Sequence, residues 1–394
     1  MRIELLKLFT DRRLWTGPAV GVVLILIAVN AAVIRYTDVI HAPPGARREE
    51  QGMFLAELDK ARRPVRFDWS LGDHLDKYEP YIPDARKTRL VILSGMSQMY
   101  TINEYKHGDQ IISEWMDDAL APRGVRVFGI AAPNLSHEEA LFLLLTTMSH
   151  PQTKPYQFVF AVAFEKLREV DLRPQYQAYL TAHPELLATW REVALRHRRE
   201  YPLATRKMLA TLDQIESAAK GEKATFETKL RSKVAGVVPV VRERKNLNSH
   251  VRSAIYNVRN AIFGINNMTK RPIVPERYDT NREFLGLLAD VAHENGVGVI
   301  FYIVPFNTRA ENPYIPEEYA AFKSWLAGLA RQKQIPLANL ENVVPADDWG
   351  KFFGGPDFKH FKGEGHRKTA AALVSAFGDQ LAAPRRESVQ GGAQ

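Results

Sequence analysis

The sequence contains no cysteine, so the 394-residue chain has no disulfides, no thiol nucleophile and no thiolate metal ligand. It also lacks the Gly-x-x-x-x-Gly-Lys-[Ser/Thr] loop that cradles phosphates and the His-Glu-x-x-His helix that binds zinc. No group of histidines and carboxylates has metal-ligand spacing. We therefore expect neither a metal ion nor a cofactor.

The composition is that of a folded protein with unevenly placed charge. Hydrophobic residues make up 45% and charged residues 25% of the chain. The length suits one large domain of about 250 residues with an insertion or a small second domain. The formal net charge is +8, but Lys166–Arg271 alone contains 21 Lys and Arg against 10 Asp and Glu. Such a segment fits an acidic glycan, anionic lipid headgroups or nucleic acid, and equally a solvated helical surface.

An uncharged apolar run, Leu14–Ile34, is long enough to cross the ~30 Å hydrocarbon core of a membrane as a helix. Four basic residues precede it: Arg2, Lys7, Arg12 and Arg13. Short basic flanks stay in the cytoplasm. We therefore predict a cytoplasmic segment at residues 1–13 and a single-pass anchor at residues 14–35 in the inner or cytoplasmic membrane. The rest of the chain is then periplasmic or extracellular.

A cleaved signal peptide is the alternative, because the small residues at Ala28–Ala32 resemble a peptidase site. The apolar core of a signal peptide is usually shorter, about 7–15 residues, which favours the anchor. Both interpretations export the remainder of the chain. Nucleic acid is therefore not an expected partner.

The exported part alternates between strand and helix patterns. Residues 36–87 read as a juxtamembrane linker with helices, including a short charged helix at Arg47–Arg63. Two α/β stretches at residues 88–172 and 276–382 flank a basic helical insertion at residues 173–275, and residues 383–394 read as a disordered tail. Predicted strands are Arg89–Leu93, Val125–Ile130, Phe158–Val162, Val297–Val304 and Ile335–Leu340. Predicted helices are Glu104–Leu120, His137–Met148, Thr280–Asn295, Glu317–Gln332 and Gly365–Phe377. This order predicts a three-layer, flavodoxin-like α/β fold with a mostly parallel sheet.

Ser97 follows the first of these strands directly, in the segment Gly95-Met-Ser-Gln98. Reactive groups in parallel sheets lie at the carboxyl ends of the strands. The unpaired N–H groups of a following helix can stabilise an anion there. The position suits a nucleophilic serine, although a Gly-x-Ser turn alone is usually only a turn.

Asp357 and His360 lie near the C-terminus, after Gly354-Gly355 and before the last predicted helix. An aspartate three residues before a histidine can bind the imidazole Nδ1–H when the segment turns, which leaves Nε2 free to accept the proton of a serine hydroxyl. A surface Asp and a surface His are the simpler interpretation of this spacing. His366, six residues further, is expected to be a solvated helix residue.

Taken together, Ser97 and the Asp357-x-x-His360 segment resemble the SGNH (GDSL-like) hydrolases in order and placement. The likeness extends over Thr88–Phe377, apart from the insertion, and it implies a triad of Ser97, His360 and Asp357. The anchor, Gly129–Leu141 and Val304-Pro305-Phe306 most resemble the membrane-anchored branch of DltD-like and polysaccharide O-acetylation proteins. That branch implies a membrane-bound O-acyltransferase (MBOAT) as partner.

Two departures concern the site. Met96 and Gln98 replace the Asp and Leu of a Gly-Asp-Ser-Leu motif. No Gly-x-Asn-Asp motif follows the third strand, where Phe164-Glu-Lys166 stands instead. The oxyanion would then be held by the N–H of Ser97 with Asn134, which is equally well interpreted as a turn or helix-cap residue.

Three functions remain open from the sequence. In the first, the chain is an extracytoplasmic acyltransferase that O-acylates, most simply O-acetylates, an exported polysaccharide or envelope polymer beside an MBOAT partner. In the second, the same triad passes the acyl group to water, as in an esterase. In the third, the chain is a non-catalytic scaffold that binds glycan or partner through basic residues such as Arg198, Arg199, Arg242 and Arg244. The substrate-binding residues are not identifiable from the sequence.

Overall fold

The computed structural model describes residues 48–50, 53–67, 89–149, 154–169, 171–221, 269–352 and 355–383. The predicted anchor at residues 14–35, its flank at residues 1–13 and the tail beyond Ala383 lie outside them, as do Arg242 and Arg244. Within the described residues, no helix has the length and hydropathy needed to cross a membrane. Almost all of them belong to one compact unit, formed by Gly45–Ser217 and Asn267–Gln394.

The described part of the chain forms ten strands and eight α-helices. The strands are β1 (Arg48–Glu50), β2 (Met53–Leu55), β3 (Arg89–Gly95), β4 (Thr101–Asn103), β5 (Val125–Ala131), β6 (Gln157–Val162), β7 (Gly298–Ile303), β8 (Leu337–Asn339), β9 (Trp349–Phe352) and β10 (Gly355–Phe361). The helices are α1 (Ile112–Leu120), α2 (His137–Ser149), α3 (Pro174–Ala182), α4 (Pro184–Arg196), α5 (Pro202–Gly221), α6 (Pro275–Glu294), α7 (Pro316–Gln332) and α8 (Gly363–Ala382).

Five parallel strands make the central sheet in the order β5-β3-β6-β7-β8. The first strand in sequence therefore lies inside the sheet, between the second and the third. Ligands of such sheets bind beyond the carboxyl ends of the strands, where the strand order reverses. The end of β3 is that point, and Ser97 follows it by two residues. The predicted α/β class with a mostly parallel sheet is confirmed.

Along the strands of the sheet, alternate side chains contribute to two apolar cores, as expected for strands covered on both faces. One core includes Ile92 and Phe160 and packs against α2 to α7. The other includes Leu93 and Ala161 and packs against α1 and α8. The described part of the predicted insertion contributes to the first core, since Trp190 of α4 is fully buried there. The described insertion helices therefore complete the domain.

The predicted charged helix at Arg47–Arg63 is wrong. β1 and β2 pair antiparallel there, and β2 also pairs with β4. The chain then turns through a buried ion pair of Asp59 and Arg63, and Pro64 follows. Pairing with a distant strand overrides local helix preference, because the apolar side chains of β2 become buried.

The predicted helix at Glu104–Leu120 begins eight residues later, as α1. Glu104 has φ 48° and Gly108 has φ 96°, which are left-handed conformations that a right-handed helix does not contain. β9 and β10 form an antiparallel pair that the strand pattern did not reveal. This pair carries Asp357 and His360.

Candidate active site

Ser97 begins a short 3-10 turn, Ser97–Met99, at the end of β3. Gly95 permits the close packing beneath it, because a Cβ there would lie 2.7 Å from the Cβ of Ala161 on the neighbouring strand. As the first residue of a helical turn, Ser97 has a backbone N–H without a partner inside that turn. Its side chain is half-buried, so the hydroxyl remains accessible.

The imidazole of His360 lies between the Ser97 hydroxyl and the Asp357 carboxylate. Ser97 Oγ is 3.0 Å from His360 Nε2, and His360 Nδ1 is 3.1 Å from Asp357 Oδ2. An ionised carboxylate only accepts hydrogen bonds, so Nδ1 carries the proton and Nε2 accepts the serine O–H. The structure thus brings together three side chains that are 263 and 3 positions apart in sequence.

Asp357 is buried, with a side chain 1% exposed, and its carboxylate receives four hydrogen bonds. Oδ1 accepts the backbone N–H groups of Lys359 (2.8 Å) and His360 (3.2 Å). Oδ2 accepts His360 Nδ1 and, at 3.0 Å, the side-chain amide of Asn103. Burial alone would raise the pKa of Asp357, but the His360 imidazole and the backbone N–H groups of Lys359 and His360 lower it below its usual value. The carboxylate is therefore ionised at neutral pH and orients the imidazole.

A register shift in β10 between Pro356 and Phe361 lets the strand bend so that Asp357 and His360 face the same site. Gln98, the residue after the serine, ties this strand to the serine turn, because its Nε2 donates to the carbonyls of Pro305 and Lys359, each at 2.8 Å. Gln98, which stands where a Gly-Asp-Ser-Leu motif has Leu, therefore links the serine turn to the strand that carries Asp357 and His360.

Asn103 was not identified from the sequence, because nothing local marks a residue 254 positions away from its partner Asp357. Gly350 on β9 packs directly against it: a Cβ at position 350 would lie 2.0 Å from Asn103 Cγ. Asn103 also donates to the carbonyl of Lys351 at 3.0 Å. The position of Asn103 therefore depends on the absence of a side chain at Gly350.

We expect Gly350→Ala to push Asn103 away and to remove one donor from the Asp357 carboxylate. Losing this hydrogen bond should lower the rate of serine modification about 10- to 100-fold, since a hydrogen bond to a charged group contributes about 1.5–3 kcal/mol. The rate would be measured with an activated ester. Gly328→Ala in α7 is the matched control, since its Cβ would meet nothing within 4 Å. Equal rates for both variants would contradict the prediction.

Asn134 lies in the loop after β5, is exposed, and has φ 53°, a left-handed conformation that asparagine tolerates better than most residues. Its Oδ1 accepts a hydrogen bond from Lys166 Nζ at 2.7 Å. The cap of α2 is Ser136, because Ser136 and Glu139 exchange side-chain-to-backbone hydrogen bonds of 3.0 and 3.1 Å. Asn134 is therefore a turn residue, as one interpretation predicts, and it does not cap α2.

Glu165 and Lys166 follow β6, at the place where a Gly-x-Asn-Asp motif is absent. The Glu165 carboxylate is buried among three cations, with Lys359 Nζ at 2.5 Å, Arg271 in contact and Lys166 Nζ at 3.8 Å. Burial would raise the pKa of Glu165, but Lys359, Lys166 and Arg271 lower it to about 2. Burial lowers the pKa of Lys166 to about 8 despite the attraction of Glu165. The site thus has a fixed anion surrounded by positive charge beside the Asp357-x-x-His360 segment.

The expectation of a solvated His366 is wrong. Its side chain is fully buried, its Nε2 lies 3.0 Å from the carbonyl of Thr101, and its ring packs on Phe361. Burial lowers its pKa to about 3, so the ring stays neutral. His366 therefore supports the backbone at the start of β4, two residues before Asn103.

Within the described residues, one set of side chains is close enough to hold a metal ion: His197, Glu200 and Asp290. The ammonium of Lys333 already binds two of them, at 3.1 Å from Glu200 and 2.7 Å from Asp290. Lys333 follows α7 and precedes β8, at the edge of the sheet opposite to Ser97. The contacts with Lys333 therefore explain why Glu200 and Asp290 lie close together.

No protein-family model matches the chain, and no curated protein matches it at a significant level. Two solved structures are similar over most of its length. A GDSL-like lipase from Bacteroides thetaiotaomicron is 11% identical, with a TM-score of 0.32 over 77% of this chain and 97% of that one. A proposed acylhydrolase from Bacteroides fragilis is 11% identical, with a TM-score of 0.33 over 80% of this chain and 99% of that one. Likeness at this level does not assign an activity to the present chain.

Proposed function

We propose that the chain is a serine acyl-transfer enzyme of the SGNH type. The observation that supports it is the chain of hydrogen bonds from Ser97 through His360 to Asp357, at the carboxyl end of the first strand of a parallel sheet. A histidine that is fixed in one tautomer and contacts a serine hydroxyl is the arrangement required for serine activation.

The two half-reactions use the same side chains. Ser97 Oγ attacks the carbonyl carbon of an acyl donor while its proton passes to His360 Nε2, and the negative charge develops on the carbonyl oxygen. Collapse of this intermediate breaks the bond to the leaving oxygen, which takes the proton from Nε2. An acceptor hydroxyl then gives its proton to Nε2 and attacks the Ser97 ester. Ser97 leaves, recovers the proton, and the acyl group has moved to the acceptor.

For the acceptor, we propose an exported polysaccharide or other envelope polymer, acylated outside the cytoplasmic membrane. The apolar run at Leu14–Ile34 with its basic flank supports this location, and the excess of positive charge in Lys166–Arg271 supports an acidic polymer. In this proposal, the acyl donor comes from the cytoplasmic side of the membrane. A membrane-bound O-acyltransferase is therefore the partner that fits the proposal.

An esterase is the second candidate. The half-buried hydroxyl of Ser97 and the 18% exposed side chain of His360 leave room for water as the acceptor. The two activities differ in their effect on the polymer. Loss of the protein lowers polymer acylation when it is a transferase and raises it when it is an esterase.

The nucleophile is tested by intact-mass measurement of the full-length chain in detergent, after exposure to a fluorophosphonate and, separately, to an activated acetyl ester. We expect one adduct on the wild type and none on Ser97→Ala, because only the activated hydroxyl reacts. Asp379→Asn, which changes a fully exposed carboxylate paired with Arg123, is the folding control and should label like the wild type. Absence of an adduct on a folded wild type would reject the serine mechanism.

The same variants separate an enzyme from a scaffold. In cells, Ser97→Ala should change polymer acylation as strongly as deletion of the protein does. A scaffold predicts instead that Ser97→Ala is silent and that neutralising basic residues is damaging. Arg198 and Arg199, both exposed, are the described positions for that second change.

A further inference from the structure

Two ammonium groups share one carboxylate oxygen beyond the end of β6. Lys359 Nζ lies 2.5 Å and Lys166 Nζ 3.8 Å from Oε1 of Glu165. The other oxygen of this carboxylate contacts Arg271. Lys166 also donates to the side-chain oxygen of Asn134 at 2.7 Å, but that amide carries no charge. Within the described part of the chain, no second carboxylate forms an ion pair with Lys166 or Lys359. The two lysines therefore carry more positive charge than Glu165 neutralises.

The ammonium of Lys359 lies close to the proposed nucleophile. Lys359 immediately precedes His360 in β10. Its carbonyl accepts a hydrogen bond from Gln98, the residue after the serine, at 2.8 Å. Its ion-pair partner Glu165 follows the end of β6 by three residues, and Ser97 follows the end of the neighbouring β3 by two. Adjacent strands are about 4.8 Å apart, so the ammonium and the serine hydroxyl are on the order of 10 Å apart. A ligand that reacts at Ser97 can therefore reach Lys359 with a second group.

Lys359 is the more accessible of the two lysines. Its side chain is 21% exposed, similar to the 18% of the adjacent His360, whereas that of Lys166 is 7% exposed. An ammonium group has three N–H donors, and one carboxylate oxygen leaves some of them for a further acceptor. Water and salt screen partly buried charges less than fully exposed ones. An anion in contact with Lys359 would therefore also be attracted by the charge of Lys166.

The two ammonium groups also repel each other. Burial and, to a smaller extent, the charge of Lys359 lower the pKa of Lys166 to about 8, although Glu165 raises it. A bound negative charge would offset this repulsion, and a neutral group of the same shape would not. The pair therefore favours an anionic ligand over its neutral counterpart.

We propose that Lys359, together with the less exposed Lys166, binds an anionic oxygen group of the acyl acceptor, a carboxylate or a phosphate, and thereby selects acidic acceptors. The proposal rests on the proposed acyl transfer at Ser97, and it assigns the recognition of an acidic polymer to two residues beside the nucleophile. The backbone N–H of Lys359 donates to Asp357, so the same residue joins acceptor binding to the segment that carries the imidazole.

The test measures how well small acceptor analogues protect Ser97 from a neutral fluorophosphonate, on the full-length chain in detergent. One pair of probes is a trisaccharide of hexuronic acid and its neutral, carboxyl-reduced form. The other pair is a trimer of glycerol phosphate and uncharged triglycerol. The readout for each probe is the concentration that halves the labelling rate. The ratio of the neutral to the charged value within a pair reports recognition of the charge, whatever the labelling rate of the variant itself.

The variants remove or keep the charge at position 359. Lys359→Gln removes it, while Lys166 and Arg271 still neutralise Glu165. Lys359→Ala is the second variant should Lys359→Gln not fold, and Lys359→Arg keeps the charge. Lys154→Gln is the matched control, because Lys154 is exposed and precedes β6 by three residues, at the edge of the sheet opposite to Ser97.

For the wild type we expect a ratio of about 10 in at least one pair, the effect of one hydrogen bond between charged groups at a partly exposed position. The pair that shows it identifies the anion as a carboxylate or a phosphate. Lys359→Gln should lower the ratio to about 2, since Lys166 then acts only from a distance. Added NaCl should lower the ratio of the wild type but hardly that of Lys359→Gln. Lys359→Arg and Lys154→Gln should keep the ratio of the wild type.

Two results would overturn the anion subsite and leave the proposed function in place. One is equal protection by the charged and neutral probes in both pairs, or no protection by any of them, with the wild type labelled and Ser97→Ala unlabelled. The other is a Lys359→Gln variant that keeps the ratio of the wild type. Labelling of Ser97→Ala at the wild-type rate would instead reject the proposed function, and the role of Lys359 with it.

Discussion

Replacing Asp357 with asparagine should lower the rate of Ser97 acylation by about 10⁴-fold, the effect of leaving a triad histidine in the wrong tautomer. All four groups that contact the Asp357 carboxylate are donors: two backbone N–H groups, the Asn103 amide and His360 Nδ1. An asparagine has one oxygen, so its NH₂ must face donors. Whichever way the amide turns, either the two backbone N–H groups or the imidazole loses its acceptor.

The experiment compares rates of fluorophosphonate labelling for the wild type and Asp357→Asn, together with thermal unfolding of both. Asp379→Asn makes the same chemical change at an exposed position and should leave the rate unchanged. In Asp357→Asn, the buried side-chain NH₂ faces other donors, which leaves buried hydrogen-bond donors without acceptors. The melting temperature of the variant should therefore fall as well. A loss below about 10-fold in a folded variant would mean that Asp357 does not set the imidazole tautomer.

The central sheet could be predicted from the sequence because its strands are continuous apolar runs, buried on both faces, that end at glycines or turns. Arg89–Gly95 and Gly298–Ile303 are of this kind. The strands β1, β2 and β4 have three residues each and gain their stability from one another. Such short pairings leave no periodic pattern, and this is why a charged helix was predicted at Arg47–Arg63 instead.

The same distinction applies to the site. The candidate residues Ser97, Asp357 and His360 could be predicted from the sequence because each has a local signal. Ser97 follows the end of a predicted strand, and Asp357 and His360 are three residues apart. The residues that hold them come from far along the chain: Asn103 contacts Asp357 across 254 positions, and Gln98 contacts Lys359 across 261. A single sequence carries no signal for these pairs. Only the fold shows that the Glu165-Lys166 segment lies beside the Asp357-x-x-His360 segment.

The second large effect concerns stability and involves Glu165. Its carboxylate is 3% exposed and is the shared counter-ion of Lys166, Lys359 and Arg271. Glu165→Gln keeps the volume but leaves three cations close together without an anion. Breaking a buried ion pair on one side costs about 3–5 kcal/mol. Because Lys359 and Arg271 are each 21% exposed and water screens them in part, we expect a loss of about 3 kcal/mol in the free energy of unfolding.

Urea unfolding of the wild type and Glu165→Gln measures this loss, and Glu364→Gln is the control, since Glu364 pairs with Arg367 at the surface and is 42% exposed. Surface ion pairs contribute little, so the control should unfold like the wild type. A Glu165→Gln variant as stable as the wild type would show that the three cations are accommodated without their anion.

The pH dependence gives an independent check. The pKa of Glu165 is about 2 in the folded chain against an ordinary value of 4.5, so folding favours the ionised form. The stabilisation is therefore complete above pH 4.5 and is lost as the pH falls from 4.5 toward 2. The stability difference between wild type and Glu165→Gln should shrink across this window. A difference that stays constant from pH 6 to pH 3 would contradict an ionised, buried Glu165.

Glu165 also connects stability to the proposed chemistry. Glu165 binds the ammonium of Lys359 at 2.5 Å. The backbone N–H of Lys359 donates to the Asp357 carboxylate, and its carbonyl accepts a hydrogen bond from Gln98, the residue after the serine. Removal of the Glu165 charge should therefore loosen the segment that carries the imidazole before the domain unfolds. We expect labelling of Ser97 in Glu165→Gln to slow at urea concentrations that leave the sheet folded, while Glu364→Gln loses labelling only with global unfolding. If both variants lost Ser97 labelling at the same urea concentration, the Glu165 charge would not be what holds the imidazole segment in place.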